Sequence, residues 1–284
     1  MSVQMKGMDV ANAMKESLVA RVEKLKEQGV TPCLAMVRVG NRPDDISYER
    51  GAKKRMESIG VSYRIVELPD DISQEMFEIE FRKVNENPEI HGILLFCPLP
   101  EHLNEEPVKR LLNPEKDMDG MTSENIAKIF AGDESGYAPC TAEAVMEMLD
   151  YYQIDLTGKK AIVVGRSMVV GRPLAMMLLK KNATVTICHT KTVELAKTCR
   201  EAEVLVAAAG QARMITTDMV KEGAVIVDVG INVDEQGNLC GDVNFEQAES
   251  RASYISPVPK GVGSITTSVL AKHVIRAAEK TIEC

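Results

Sequence analysis

Residues 159–178 read KKAIVVGRSMVVGRPLAMML. An apolar run of strand length ends on Gly165, a short turn follows, and Pro173 falls in the first turn of a stretch spaced for a helix. A strand, a glycine turn and a helix in that order bring free backbone N–H groups and the positive end of the helix dipole to one point, which favours a phosphate. The stretch is not a Walker loop, because Val170 occupies the second glycine position, and it is not G-x-G-x-x-G, because Gly165 and Gly171 lie six apart. An unliganded tight turn is the competing reading of an isolated glycine pair. The next apolar segment, ATVTICHTKT at 183–192, has no Asp or Glu at its tip. An acid there would bind the ribose hydroxyls of NAD, whereas uncharged and basic groups leave room for the extra phosphate of NADP. We expect NADP, with Arg166, Thr190 and either Lys191 or His189 around that phosphate. His189 itself reads first as a polar residue that ends a strand.

Working outward, strand-length apolar runs alternate with helix-spaced stretches along the whole chain, the pattern of parallel sheets covered by helices. Strands are expected at 33–39, 63–68 and 90–97, then at 161–165, 184–188, 203–209 and 224–229. Helices are expected at 9–28, 43–59, 73–87 and 104–112, then at 172–181, 193–199, 217–220 and 265–282, with one more capped by Thr141. Gly29, Gly60 and Pro88 punctuate the first set. The fold class is α/β with two α/β domains of similar size, joined near Thr141.

The 284 residues carry 34 Lys+Arg against 42 Asp+Glu, a formal charge of −8. That balance excludes a basic nucleic-acid-binding module. The apolar runs are far shorter than the ~20 residues of a membrane-spanning helix, and the opening MSVQMKGMDV lacks the apolar stretch of a secretory signal. A soluble, cytoplasmic protein with no nucleic-acid or membrane partner is expected. Seven cysteines, at 33, 97, 140, 188, 199, 240 and 284, contain no C-x-x-C pair, so buried free thiols are expected and a metal knuckle is not. With no Trp, five Phe and six Tyr, the core must be aliphatic.

Five motifs stand in order: PEKDMDGMTSENIAKI at 114–129, YAPCTAEAVMEML at 137–149, VVGRSMVVGRP at 163–173, VDVGIN and GDVNF at 227–232 and 241–245, and PVPKGVGSITTSVL at 257–270. Together they resemble the methylenetetrahydrofolate dehydrogenase/methenyltetrahydrofolate cyclohydrolase family over essentially the whole chain. The resemblance implies a folate-binding catalytic domain (1–140) joined by a returning C-terminal helix (265–284), a Rossmann NADP-binding domain (141–264), and a cleft between them. It implies a homodimer built through the Rossmann domains, tetrahydrofolate derivatives as substrates, and NADP as cofactor. Gly165, Arg166, Ser167, Thr190 and Ile231 match dinucleotide-contacting positions, Thr190 standing where the family usually has serine. Tyr48 and Asp119 match the catalytic, folate-binding tyrosine and aspartate, and Pro259 and Gly261 match substrate-binding positions. A pterin needs a flat neighbour and a carboxylate to accept its amino hydrogens, which Tyr48 and Asp119 offer. Without the resemblance, Tyr48 reads as a half-buried helix residue and Asp119 as a turn residue before Gly120.

Two positions depart from the family pattern. Ala52 stands where a lysine follows the tyrosine by four residues, and Phe96 stands where a glutamine orients that lysine. Lys53 is turned by about 100° from that face, and the Arg55 guanidinium, though nearer the face, stays protonated and is a poor proton shuttle. Removing a hydride from the methylene carbon needs orientation but no side-chain base, whereas hydrolysing the methenyl product requires managed proton transfer. The residues therefore predict NADP-dependent oxidation of 5,10-methylenetetrahydrofolate to 5,10-methenyltetrahydrofolate with weak or absent cyclohydrolase activity. The alternative is a fully bifunctional enzyme that also forms 10-formyltetrahydrofolate with a repositioned lysine. Lys260 interrupts the P-x-P-G-G-x-G pattern and Ser264 replaces its following proline. Lys260 is either a solvated loop lysine or an ammonium brought to the site from the second domain. A folate- or nucleotide-binding protein without catalysis and a shikimate-type dehydrogenase complete the alternatives.

Overall fold

A computed structural model describes residues 2–282; Cys284 and the last two residues of the expected C-terminal segment lie outside them. The strands in chain order are β1 (Val3–Gln4), β2 (Cys33–Val39), β3 (Ser62–Leu68), β4 (Gly92–Leu95), β5 (Lys160–Val164), β6 (Thr184–Cys188), β7 (Val204–Ala207), β8 (Val225–Asp228), β9 (Asn232–Val233), β10 (Leu239–Cys240) and β11 (Tyr254–Ile255). The helices are α1 (Gly7–Glu27), α2 (Pro43–Ile59), α3 (Gln74–Glu86), α4 (Glu105–Leu111), α5 (Ser123–Ala131), α6 (Cys140–Tyr151), α7 (Gly171–Lys180), α8 (Leu195–Cys199), α9 (Phe245–Ala248) and α10 (Thr266–Lys280). Two compact units result, one of residues 13–128, 133–140 and 267–284, the other of residues 1–12, 129–132 and 141–266.

The first unit is built on a parallel sheet of order β3-β2-β4. All seven residues of β2, CLAMVRV, are buried, as a central strand covered on both faces requires. Phe77 and Phe81 of α3 join Val37, Ile93, Leu95 and Val108 in its core, each large buried side chain contributing roughly 1.5–3 kcal/mol. The expected helix 73–87 includes its caps: Ser73 Oγ accepts the Met76 N–H at 3.3 Å and Asn87 closes the far end. The inner face of α2 is Asp45, Glu49, Ala52, Met56 and Ile59, a strict three-and-four spacing. Strand 90–97 contracts to Gly92–Leu95, because Ile90 N–H closes a turn on Asn87 O.

The second unit holds a six-stranded parallel sheet of order β1-β11-β8-β7-β5-β6. Chain order reverses on either side of β5, as in doubly wound nucleotide-binding sheets. Its core gathers Ile162, Val164, Leu205, Ala207 and Ile226. Val3 and Gln4 pair with Tyr254 and Ile255, so the first residues complete this sheet, which a two-residue strand gives no periodicity to announce. Helix α6 begins at Cys140, which places Thr141 inside it and not at its cap. The segment 217–220 forms only a 3-10 turn, Thr217–Met219.

Candidate active site

In the nucleotide unit, Gly165 ends β5 with φ +137°, and a Cβ there would lie 2.1 Å from the Ala208 carbonyl oxygen. A Cβ on Gly171 would lie 2.1 Å from Gly165 O. Only glycine lets the turn fold this tightly against the sheet, which leaves a cradle in front of α7. Ser167 organises the turn: its Oγ accepts Val170 N–H at 3.1 Å and its carbonyl accepts Arg172 N–H at 3.0 Å. Val170 contributes no side-chain cap to α7, and with Arg172 N–H bonded to Ser167 O and no N–H on Pro173, the Gly171 N–H is the first-turn donor left to meet an anion among the described residues. This backbone fits a dinucleotide diphosphate. Arg166 follows β5 and Thr190 follows β6, and those strands run side by side in register, Val164 opposite Cys188. Both residues are exposed. His189 plays the strand-end part, its Nδ1 accepting Lys191 N–H at 3.1 Å.

Ile231, Pro259 and Gly261 share a cavity of 250 Å³ beyond the C-terminal end of β8, with Asp228 and Lys260 also in its wall. The chain around it is held by two buried carboxylates, Asp228 and Asp242, whose role no local pattern announces. Asp228 accepts the N–H groups of Gly230, Asp242 and Val243 at 2.9–3.0 Å. Asp242 accepts those of Ala209, Gly210 and Gln211 at 2.6–2.9 Å, and the Asn232 amide at 2.9 Å.

In the catalytic unit, Tyr48 lies on α2 one turn before Ala52, and its ring meets Phe96 edge-on, centroids 6.1 Å apart at 80°. Ala52 is fully buried and Phe96 nearly so. The ground that a lysine and a glutamine hold in the family pattern is therefore apolar here. Lys53 points elsewhere, its Nζ 5.7 Å from the Tyr63 ring centroid. The half-buried Arg55 guanidinium is lowered from its ordinary pKa by desolvation.

Asp119 follows the 3-10 turn Pro114–Lys116. Its Oδ1 accepts the Cys140 N–H at 2.7 Å, so it caps α6 across 21 positions of sequence. Burial pushes its carboxyl above the usual carboxylate range against that hydrogen bond. His273 of α10 ties down the neighbouring residue, its Nδ1 lying 2.8 Å from Met118 O. Behind Tyr48, the buried Arg38 binds Glu49 at 2.8 Å, Glu67 at 2.7 Å and Asn41 at 2.7 Å. This clamp between β2, β3 and α2 fixes the helix that carries Tyr48, and no local pattern announces it.

Five of the cysteines (33, 140, 188, 199 and 240) are buried free thiols. Cys97 is exposed, contrary to expectation, because the strand ends at Leu95 before reaching it. Among the described residues no cluster of three metal-binding side chains occurs, and no helix is long and apolar enough to cross a membrane.

A doubly wound sheet with this glycine turn, together with a second α/β unit carrying a half-buried carboxylate and an aromatic ring, defines a two-domain dinucleotide-dependent enzyme. Residues 5–119 match the tetrahydrofolate dehydrogenase/cyclohydrolase catalytic domain and residues 139–282 match that family's NAD(P)-binding domain. The chain belongs to this family. A bifunctional protein FolD of Alkaliphilus oremlandii is 53% identical over 277 residues, covering 98% of this chain and 97% of that protein. The crystal structure of a bifunctional FolD from Campylobacter jejuni superposes with a TM-score of 0.96 at 37% identity, covering 99% of this chain and all of that one. The Trypanosoma brucei FolD, solved with NADP cofactor and inhibitor, superposes with a TM-score of 0.94 at 34% identity, covering 100% of this chain and 99% of that one.

Proposed function

We propose that this chain oxidises 5,10-methylenetetrahydrofolate with NADP and hydrolyses the methenyl product to 10-formyltetrahydrofolate. The observation that carries this reading is the full-length match to a family named for both activities, with a 53% identical relative itself called bifunctional. The expectation of weak hydrolysis rests on Ala52 and Phe96 alone, and the comparisons favour the bifunctional alternative over it. Family membership removes the shikimate-type reading.

The residues serve the two steps as follows. The turn at Gly165, Ser167 and Gly171 holds the diphosphate, while Arg166 and Thr190 receive the 2′-phosphate through charge-assisted and hydroxyl hydrogen bonds. Ile231 packs on the dinucleotide. NADP supplies the hydride acceptor. Tyr48 offers its ring to the pterin, Asp119 accepts the pterin amino hydrogens, and the loop at Pro259 and Gly261 lies along the substrate. A low-dielectric setting strengthens the Asp119 contacts. The folate nitrogen lone pair stabilises the cation left by hydride loss, so these groups bind and orient without taking a proton. By the same resemblance we place the enzyme in the cytoplasm as a homodimer built through its nucleotide units, which analytical ultracentrifugation checks. Purified protein supplied with methylenetetrahydrofolate should reduce NADP with a kcat/KM at least tenfold above that for NAD. A folded protein that reduces neither dinucleotide overturns the reading.

A further inference from the structure

The cavity beyond β8 lies on the opposite side of β5 from β6. A dinucleotide on a sheet of this order crosses the reversal of strand order. With its phosphate-binding groups at the ends of β5 and β6, its ring end falls at this cavity. Lys260 stands in the cavity wall with φ +80°, in the left-handed region where glycine is at ease and a lysine is strained. Its carbonyl accepts Gly7 N–H at 2.9 Å, which helps to hold that backbone. Its side chain is exposed and makes no ion pair or hydrogen bond among the described residues. Strain kept at a cavity wall points to function, and Ala52 stands where the family resemblance implies a lysine.

We propose that Lys260 is the proton-transfer group of the hydrolysis, an inference that rests on the bifunctional reading above. Hydride transfer requires the folate carbon to touch the ring end of the dinucleotide, about 3–3.5 Å away, and the exposed, flexible Lys260 side chain extends from the wall of that cavity. A water oxygen bonds to the methenyl carbon while the C=N π pair returns to nitrogen, and the Lys260 amine takes the water's proton. The ammonium then returns a proton to N5 as the C–N5 bond breaks. The remaining hydroxyl proton leaves to solvent as the formyl C=O forms on N10. One water is consumed and one proton is released.

Hydrolysis of added methenyltetrahydrofolate, with no dinucleotide present, tests this in the wild type, Lys260→Gly and Lys260→Arg. Lys260→Gly should lower hydrolysis at least tenfold more than it lowers dehydrogenation, and methylamine should restore part of the loss. It should also raise the melting temperature by a few degrees, because glycine relieves the strain; a lower one contradicts the strain argument. Lys260→Arg should stay as impaired as Lys260→Gly. A wild type that hydrolyses no faster than buffer overturns the bifunctional reading itself. Equal hydrolysis by wild type and Lys260→Gly overturns only the role of Lys260, as does full recovery in Lys260→Arg, which would mean that charge suffices.

Discussion

Asp119 serves two purposes with one carboxylate, since Oδ1 caps α6 through Cys140 N–H while the proposed substrate contact uses the same group. The purposes separate by substitution. Asp119→Asn keeps an oxygen acceptor for the cap and loses the charge, so it should raise the folate KM at least tenfold and leave the NADP KM and melting temperature near wild type. Asp119→Ala removes the cap as well, at about 1 kcal/mol, and should lower the melting temperature too. Steady-state kinetics beside thermal unfolding measures both. The sequence pointed to Asp119 only through the DMDG motif, because the cap spans residues that no local window contains. Ala52 and Phe96 were legible as departures, and the edge-on Tyr48–Phe96 contact accounts physically for what fills their place. Lys260 was legible as a broken glycine pattern, but its positive φ had to be seen.

Helix α2 is held as an element by the Arg38 clamp, whose guanidinium and the Glu49 carboxylate are both almost wholly buried. Arg38→Met leaves Glu49 buried without its cation and should cost about 3–5 kcal/mol, read from the denaturant midpoint. Adding Glu49→Leu should recover most of that loss. In the nucleotide unit, burial pushes the Asp228 carboxyl up to about 6 against three backbone N–H donors. A native value above the unfolded one means that the folded state holds the proton more tightly. The Asp228 contribution to stability is therefore complete below about 3.8 and is lost as pH rises through about 6. Carboxyl 13C NMR should show its midpoint near 6, and the stability of the wild type relative to Asp228→Asn should fall between pH 4 and pH 7. A midpoint below 4 contradicts this. The longer strands and most of the longer helices followed from periodicity and punctuation, though α5 and the two-residue strands did not, whereas the Asp228 and Asp242 clips depend on carboxylates meeting backbone from distant loops.

At the scale of the whole molecule, two α/β units are what alternating strand and helix periods predict, and two units are found. The division of the chain between them was less legible. Residues 1–12 lie with the nucleotide unit because Val3 and Gln4 finish its sheet, a pairing that depends on a partner 251 positions away. The turn after β5, by contrast, was readable as a strand, a glycine turn and a helix start, since all lie within one local stretch. Under the proposed function this chain both oxidises and hydrolyses, although the helix that carries Tyr48 has alanine at position 52. The most direct test follows the methenyl chromophore after mixing the protein with methylenetetrahydrofolate and NADP. NADPH should form while methenyltetrahydrofolate rises briefly and then decays to 10-formyltetrahydrofolate well above the buffer rate. NADPH formation with methenyltetrahydrofolate accumulating and decaying only at the buffer rate would contradict it.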